Sequence, residues 1–218
     1  MLTAILYTAG TIPDHFARAT RGQLLAALGD IPLLEIPLPR GWKPSHFNIY
    51  RQALMGAKQA TTPYIALCED DVLYSSEHFK YRPNPGRFAY NLGAWSIFTW
   101  GEPMFTHKGK VRRNLNSLIC ERKLFVEAME ERFAKYPDPD ESIKKLWAEP
   151  GKYEHHLGVT ARETEEFYSN PPNIIFSHQT ELSFSGMGTR KRVGEFRAYK
   201  IPHWGTAEEI LKLYKEEL

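Results

Sequence analysis

Apolar and polar positions alternate along the first seventy residues in a way that spells out strands and helices in turn. Leu2 to Tyr7 is an almost unbroken apolar run, short enough for a buried strand, and Thr8, Ala9 and Gly10 break it. A helical segment carrying Phe16, Leu24, Leu25 and Leu28 follows, then a second strand from Ile31 to Ile36, closed by PLPRGWKP. Ser45 is placed to cap a further helix, in which Phe47, Tyr50, Leu54 and Ala57 recur at steps of three and four. That spacing makes one apolar stripe and leaves Asn48, Arg51, Gln52 and Gln59 on other faces. A third strand runs from Tyr64 to Cys68. The order β-α-β-α-β with short polar connections predicts an α/β fold: a mostly parallel mixed sheet with helices on its faces.

The second half is less regular. NLGAWSIFTW and NLNSLICE read as strands, Glu121 to Tyr136 as a helix with Leu124, Phe125, Ala128 and Met129 inward, and PDPD as a loop. A short helix through Ile143 and Trp147, a polar helical stretch after AEPGKYEHHLG, and the strand NIIFSH come next. Thr206 and Glu209 form a capping box that opens a last helix bearing Ile210 and Tyr214. The 218 residues fit one domain with an irregular C-terminal region.

Against this pattern the stretch TTPYIALCEDDVLYSSEHF stands out. Three carboxylates, Glu69, Asp70 and Asp71, interrupt an apolar course that resumes at Val72 and Leu73, at the carboxyl end of the third strand. In parallel sheets that end is where ligands collect, and carboxylates beside apolar segments are costly without a positive partner. Glu69 and Asp71 can supply hard oxygen ligands to Mg²⁺ or Mn²⁺; an acidic turn or a helix-start cluster is the plainer alternative.

Composition narrows the classes. Charged residues at 25%, hydrophobic ones at 42% and aromatic ones at 13% describe a globular chain, and a net charge of +2 is too small to argue for nucleic acid except through its distribution. No apolar run reaches the roughly 18 residues of a membrane span, and the N-terminus has no basic leader, so a cytoplasmic protein without a membrane or protein partner is expected. Cys68 and Cys120 are expected as buried free thiols. The pair His155 and His156 has neither an H-E-x-x-H context nor a cysteine partner, which argues against zinc. No G-x-S-x-G elbow, Walker A sequence or complete G-x-G-x-x-G is present.

The N-terminal strand, the helix with Tyr50, Gln52 and Gly56, the apolar strand, and the acidic E-x-D followed by VLY together resemble the nucleotide-sugar-binding half of GT-A class glycosyltransferases. That family usually writes the motif D-x-D, and Glu69 replaces the first Asp. The likeness covers about residues 1–110, with 111–218 left as the acceptor-binding and C-terminal half of one domain. It implies that Asp71 binds a divalent ion bridging the donor phosphates, that Glu69 reaches the ribose or the metal, and that Asp70 lies beside them. Thr8, Ala9 and Gly10 match the place where such enzymes hold a uridine-type base and ribose, and Arg51 is taken as a further donor contact. A late histidine often completes the metal site, and His178 fits that role better than His203. The basic loop SGMGTRKR, with Arg190, Lys191 and Arg192, is suited to close on a diphosphate; a solvated charge run is the alternative.

For an inverting member the resemblance implies a carboxylate base, with Glu154 in KYEHHLG the first choice and Glu149 the second; a retaining enzyme needs none. A hydrolase using Glu69 and Asp71 is disfavoured because residues two apart at one strand end rarely span the required gap. Basic residues in KGKVRR (Lys108 to Arg113) lie next to Trp95, Phe98, Trp100 and Phe105, a combination that suits a polyanion with stackable bases, although the rings also suit a core. Small virus-encoded enzymes that add sugar to 5-hydroxymethylpyrimidines in DNA resemble the chain in these respects. DNA is thus the leading acceptor, a saccharide the second, and a catalytically inactive binding domain the alternative of another class.

Overall fold

The structure is a computed structural model, and it describes residues 1–107, 113–140, 142–144, 146–178 and 194–215. The chain forms β1 (Leu2–Tyr7), α1 (Asp14–Leu28), β2 (Leu33–Ile36), α2 (His46–Gln59), β3 (Tyr64–Glu69) and β4 (Val72–Leu73). It continues with β5 (Arg87–Asn91), β6 (Ala94–Phe98), β7 (Phe105–His107), β8 (Leu118–Glu121), α3 (Arg122–Lys135) and α4 (Glu154–Leu157). β9 (Glu163–Phe167), β10 (Asn173–Ser177), β11 (Phe196–Ala198), the small pair β12 (Lys200–Ile201) and β13 (Gly205–Thr206), and α5 (Ala207–Lys215) complete it.

The larger sheet has the order β2-β1-β3-β8-β5-β9. β1 pairs in parallel with both β2 and β3, and β5 with β9, while β8 runs antiparallel between β3 and β5. A second sheet, β11-β7-β6-β10-β4, is antiparallel except where β6 meets β10. The fold is thus mixed α/β, with its parallel character concentrated in the first sheet. Burial of both faces explains why β1 reads as continuous apolar sequence. Ile5 and Tyr7 join Tyr50, Ala53 and Ala57 of α2 and Phe125 and Met129 of α3, whereas Leu2, Ala4 and Leu6 face Leu24 and Leu28 of α1. The second sheet packs Ile97, Phe105, Ile174 and Phe176 under Phe16 of α1 and Ile210 and Leu211 of α5. Each such side chain contributes on the order of 2 kcal/mol by leaving water.

Local signals explain the element ends. Ser45 Oγ accepts from Asn48 N–H at 3.1 Å and caps α2. Thr206 and Glu209 form their reciprocal box, with Glu209 N–H on Thr206 Oγ1 at 3.2 Å and Thr206 N–H on Glu209 Oε2 at 2.8 Å. Cys68 and Cys120 are buried free thiols.

Four expectations are corrected. The second strand begins at Leu33 rather than Ile31. The polar stretch after Gly158 is the strand β9, held at the sheet edge by pairing with β5; its Glu163, Glu165 and Glu166 alternate in a way that mimics a polar helix face. The residues described at 142–144 and 146 form turns. Gln52, set aside from the apolar stripe of α2, is fully buried.

Candidate functional site

The carboxyl ends of β1 and β3 stop side by side, with Tyr7 opposite Glu69 in the parallel register. The chain leaves β3 through Asp70 and Asp71 and returns at once as β4, which pairs antiparallel with β10. Continuing that register, Phe176 N–H donates to Asp71 O at 2.8 Å, which places His178, just past the end of β10, beside the Asp71 carboxylate. Asp71 Oδ2 and His178 Nε2 are 3.4 Å apart, and His178 is almost fully buried.

Glu69 is held from both sides. Tyr7 Oη donates to its Oε1 at 2.9 Å and Asn116 Nδ2 to its Oε2 at 2.6 Å, while its own N–H donates to Tyr74 Oη at 3.0 Å. Tyr74 Oη in turn donates to Asn116 O at 3.1 Å. Despite these donors its carboxyl is pushed up to about 8, first by burial and then by the negative charge of Asp71. Asp70 is also raised above the usual carboxylate range by burial, partly offset by the hydrogen bond from Thr8 Oγ1. Gln52 Nε2 ties the neighbouring strand ends together by donating to Thr8 O at 2.8 Å and Ile36 O at 2.9 Å.

A cleft of about 260 Å³ opens over this strand end. Glu69, Asp70, Asp71 and His178 form its acidic side, with Ala9 and Thr11 beyond β1; His46, Ile49 and Tyr50 of α2 form another wall, and Asn114 to Asn116 and Glu149 close it. Thr8 supports the floor through Asp70, and Gly10 is exposed, its N–H on Thr8 Oγ1 at 2.9 Å.

Two expected residues lie elsewhere. Arg51 points away from the cleft, donating to Asn48 Oδ1 at 3.1 Å and Pro137 O at 2.5 Å with its guanidinium over the Phe133 ring, because its position on α2 faces α3. Glu154 is 3% exposed and bonded to Arg132 Nη2 at 2.8 Å, so its carboxylate is committed to a buried pair, whereas Glu149 faces the cleft. Arg190 and Arg192, together with Lys191 and the segment Lys108 to Arg112, lie outside the described residues. Of the rings beside that segment, Phe105 is buried, while Trp95 and Trp100 are half-buried. His203 is exposed and is not among the residues that line the cleft.

Sequence reasoning missed Tyr7, Asn116 and His46. The signal for Tyr7 is a hydroxyl at the last residue of an otherwise apolar strand; for Asn116 it is the pair of asparagines just ahead of the strand β8.

A divalent ion suits this donor set. Glu69, Asp70 and Asp71 gather three carboxylates along one cleft, and Asp71 with His178 offers one hard oxygen and one imidazole at neighbouring positions. Among the described residues no three His, Cys, Asp or Glu side chains converge tightly enough to hold an ion alone. An ion held by two protein ligands would take its remaining positions from water or ligand oxygens.

The sequence matches no protein-family model and no curated protein significantly. Among solved structures the chain is similar to a mutant Drosophila beta-1,4-galactosyltransferase 7 in complex with manganese, UDP-Gal and xylobiose, at 10% identity and a TM-score of 0.45, over 90% of this chain and 82% of that one. At this level of likeness function has to be read from the chain's own residues. No helix among the described residues is long and apolar enough to cross a membrane.

Proposed function

We propose that the chain is a divalent-metal-dependent glycosyltransferase of the GT-A type that moves a sugar from a nucleoside-diphosphate donor, a UDP-sugar foremost, to a hydroxyl acceptor. The observation that carries this reading is the Asp71–His178 pair at the carboxyl end of β3, flanked by Glu69 and Asp70 in one cleft. Asp71 and His178 would hold Mn²⁺ or Mg²⁺. When bound, the ion offsets the charge that develops on the departing diphosphate.

The chain's own residues perform the rest. Glu69, fixed by Tyr7 and Asn116, is oriented to accept a hydrogen bond from the donor's ribose or from a metal-bound water rather than to swing freely. Ala9 and Thr11 shape the β1 side, where the donor's nucleoside would lie, so that residues 1–110 form most of the donor half, completed by Asn114 to Asn116. Glu149 is the group in the cleft that is placed to take the proton of the acceptor hydroxyl as its oxygen bonds to the anomeric carbon and the bond to the diphosphate oxygen breaks. With a base in that role the outcome is inversion.

For the acceptor, a 5-hydroxymethylpyrimidine in DNA is the first reading and a saccharide the second. The DNA reading depends on Arg190, Lys191, Arg192 and Lys108 to Arg112 of the KGKVRR cluster, since Arg113 is paired with Glu166 at 3.0 Å. The test is diphosphate release from a panel of UDP- and GDP-sugars, alone, with hydroxymethylated DNA and with oligosaccharides, each with and without EDTA. Metal-dependent release that increases with one acceptor is expected; absence of turnover and of nucleotide-sugar binding across the panel overturns the reading.

A further inference from the structure

Glu149 sits in a short strap, Trp147 to Gly151, whose local backbone bonds are those of Trp147 N–H to Ile143 O and Ala148 N–H to Leu146 O, both at its start. Pro150 has no N–H to give, and Gly151 stands at φ 86°, where any side chain is strained and where a Cβ would overlap Thr164 Cγ2. Beyond those turn bonds the strap is fastened from other elements at successive points. His46 Nε2 meets Trp147 O at 2.6 Å, Arg132 Nη1 donates to Ala148 O at 2.6 Å, and Tyr90 Oη donates to Pro150 O at 2.6 Å. Gly151 N–H donates to Glu154 Oε1, the same oxygen that takes Arg132 Nη2 at 2.8 Å. Glu149 is the strap residue in the cleft wall, its Oε2 3.7 Å from Lys152 Nζ, a half-exposed contact at the limit of an ion pair.

Arg132 and Glu154 are both almost fully buried, and Arg132 Nε has no hydrogen-bond partner among the described residues. A buried ion pair that leaves a donor unsatisfied is poorly explained as a source of stability, because apolar residues of similar size commonly serve a core as well or better. What apolar residues cannot do is grip Ala148 O and Gly151 N–H on either side of Glu149. The planar guanidinium does the first while pairing with the carboxylate that does the second.

We infer that the Arg132–Glu154 pair, assisted by Tyr90, is a positioning device that sets the Glu149 carboxylate in the cleft for proton transfer from the acceptor. The inference rests on the glycosyltransferase reading for the reaction, though not for the geometry of the strap. Displacing a reacting group by about 1 Å costs on the order of a hundredfold in rate. The effect therefore belongs in kcat for transfer, with the KM for donor unchanged.

The test compares wild type, Glu149→Gln, Tyr90→Phe and the paired replacement Arg132→Met/Glu154→Leu, which removes both charges together so that neither is stranded. Folding is followed by thermal melting, donor binding with UDP and Mn²⁺, transfer by steady-state kinetics, and strap order by amide hydrogen exchange at Ala148, Glu149 and Gly151. A folded paired variant is expected to exchange these amides at least tenfold faster, to bind UDP and Mn²⁺ as wild type, and to lose on the order of ten- to a hundredfold in kcat. Glu149→Gln should lose as much or more, and combining it with the paired variant should add little. Tyr90→Phe, a milder change, should show a smaller loss of the same kind. Unchanged exchange in both strap variants, or wild-type kcat in a folded paired variant whose strap has loosened, overturns the inference. A wild type without any nucleotide-sugar turnover defeats the glycosyltransferase reading instead, and the exchange comparison still decides whether the pair orders Glu149.

Discussion

His178 Nε2 lies 3.4 Å from Asp71 Oδ2 because β10 runs antiparallel to β4, and the same register bonds Phe176 N–H to Asp71 O. The two side chains are thus fixed by a backbone ladder rather than by chance proximity. Asp71→Asn should lower the affinity for Mn²⁺ in the presence of UDP by tenfold or more, and His178→Ala should do so by a similar factor, while both proteins stay folded. Calorimetric titration checks this, with melting curves as the control; wild-type affinity in both variants removes the metal site from this strand end.

Asn116→Ala takes away the donor to Glu69 Oε2 and leaves a partly buried carboxylate oxygen short of a partner. Loss of a hydrogen bond to such a group costs about 1–3 kcal/mol. The variant should therefore melt at lower temperature and bind UDP and Mn²⁺ more weakly, whereas Asn116→Gln should recover part of both. Denaturant unfolding and titration of the two variants provide the measurement.

Gly56 lies where α2 crosses β1, and a Cβ there would overlap Ile5 Cγ2 and reach 3.1 Å from Ile36 Cγ1. Gly56→Ala gains up to about 1 kcal/mol in helix propensity, but overpacking typically costs about 1–3 kcal/mol. Net destabilisation on the order of 1 kcal/mol is expected, read as a lower urea midpoint with an unchanged slope.

His78 is fully buried, and burial lowers its value to about 3. Its Nδ1 accepts from Asn91 Nδ2 at 3.0 Å, with Asn173 Nδ2 at 3.3 Å, so the folded chain keeps the ring neutral. The unfolded chain protonates it near pH 6.5, so between about 6.5 and 3 the unfolded state holds the extra proton. Stability is then complete above that window and is lost as pH falls through it, by up to about 1.4 kcal/mol per unit. Glu69, raised rather than lowered, works in the opposite direction, so the comparison is with His78→Asn, which keeps an acceptor in place of Nδ1. Melting temperatures from pH 7 to 5 should fall more steeply for wild type than for the variant.

β1, β3 and both early helices were legible because each obeys a local rule: apolar runs for strands buried on two faces, a Ser45 cap, and a stripe at helical spacing; β2, a half-buried edge strand, was legible in place but not in its start. The acidic strand end could be located for the same reason. β9 was not legible, since Glu163, Glu165 and Glu166 carry no core signal and only pairing with β5 makes the segment a strand. Glu154 and Glu149 were indistinguishable as sequence, five residues apart in one loop; what separates them is Arg132, twenty-two residues upstream of Glu154 and brought to it by the packing of α3. Gln52 looked like a polar-face residue because the carbonyls it bridges, on Thr8 and Ile36, belong to strands distant in sequence.

The place of β8 in the middle of the larger sheet has a consequence for synthesis. β3 and β5 are complete by residue 91, yet each needs β8, residues 118–121, as its neighbour. Until that strand emerges, the edges of β3 and β5 that face it stand open, and loop closure must precede the reward of pairing. Fragments ending before Glu121 should therefore aggregate or bind chaperones more than those that include it, which gain a continuous sheet from β2 through β5. Asn116 leaves the ribosome just ahead of β8, so the clamp on Glu69 is assembled in the same step that joins β3 to β5 through β8.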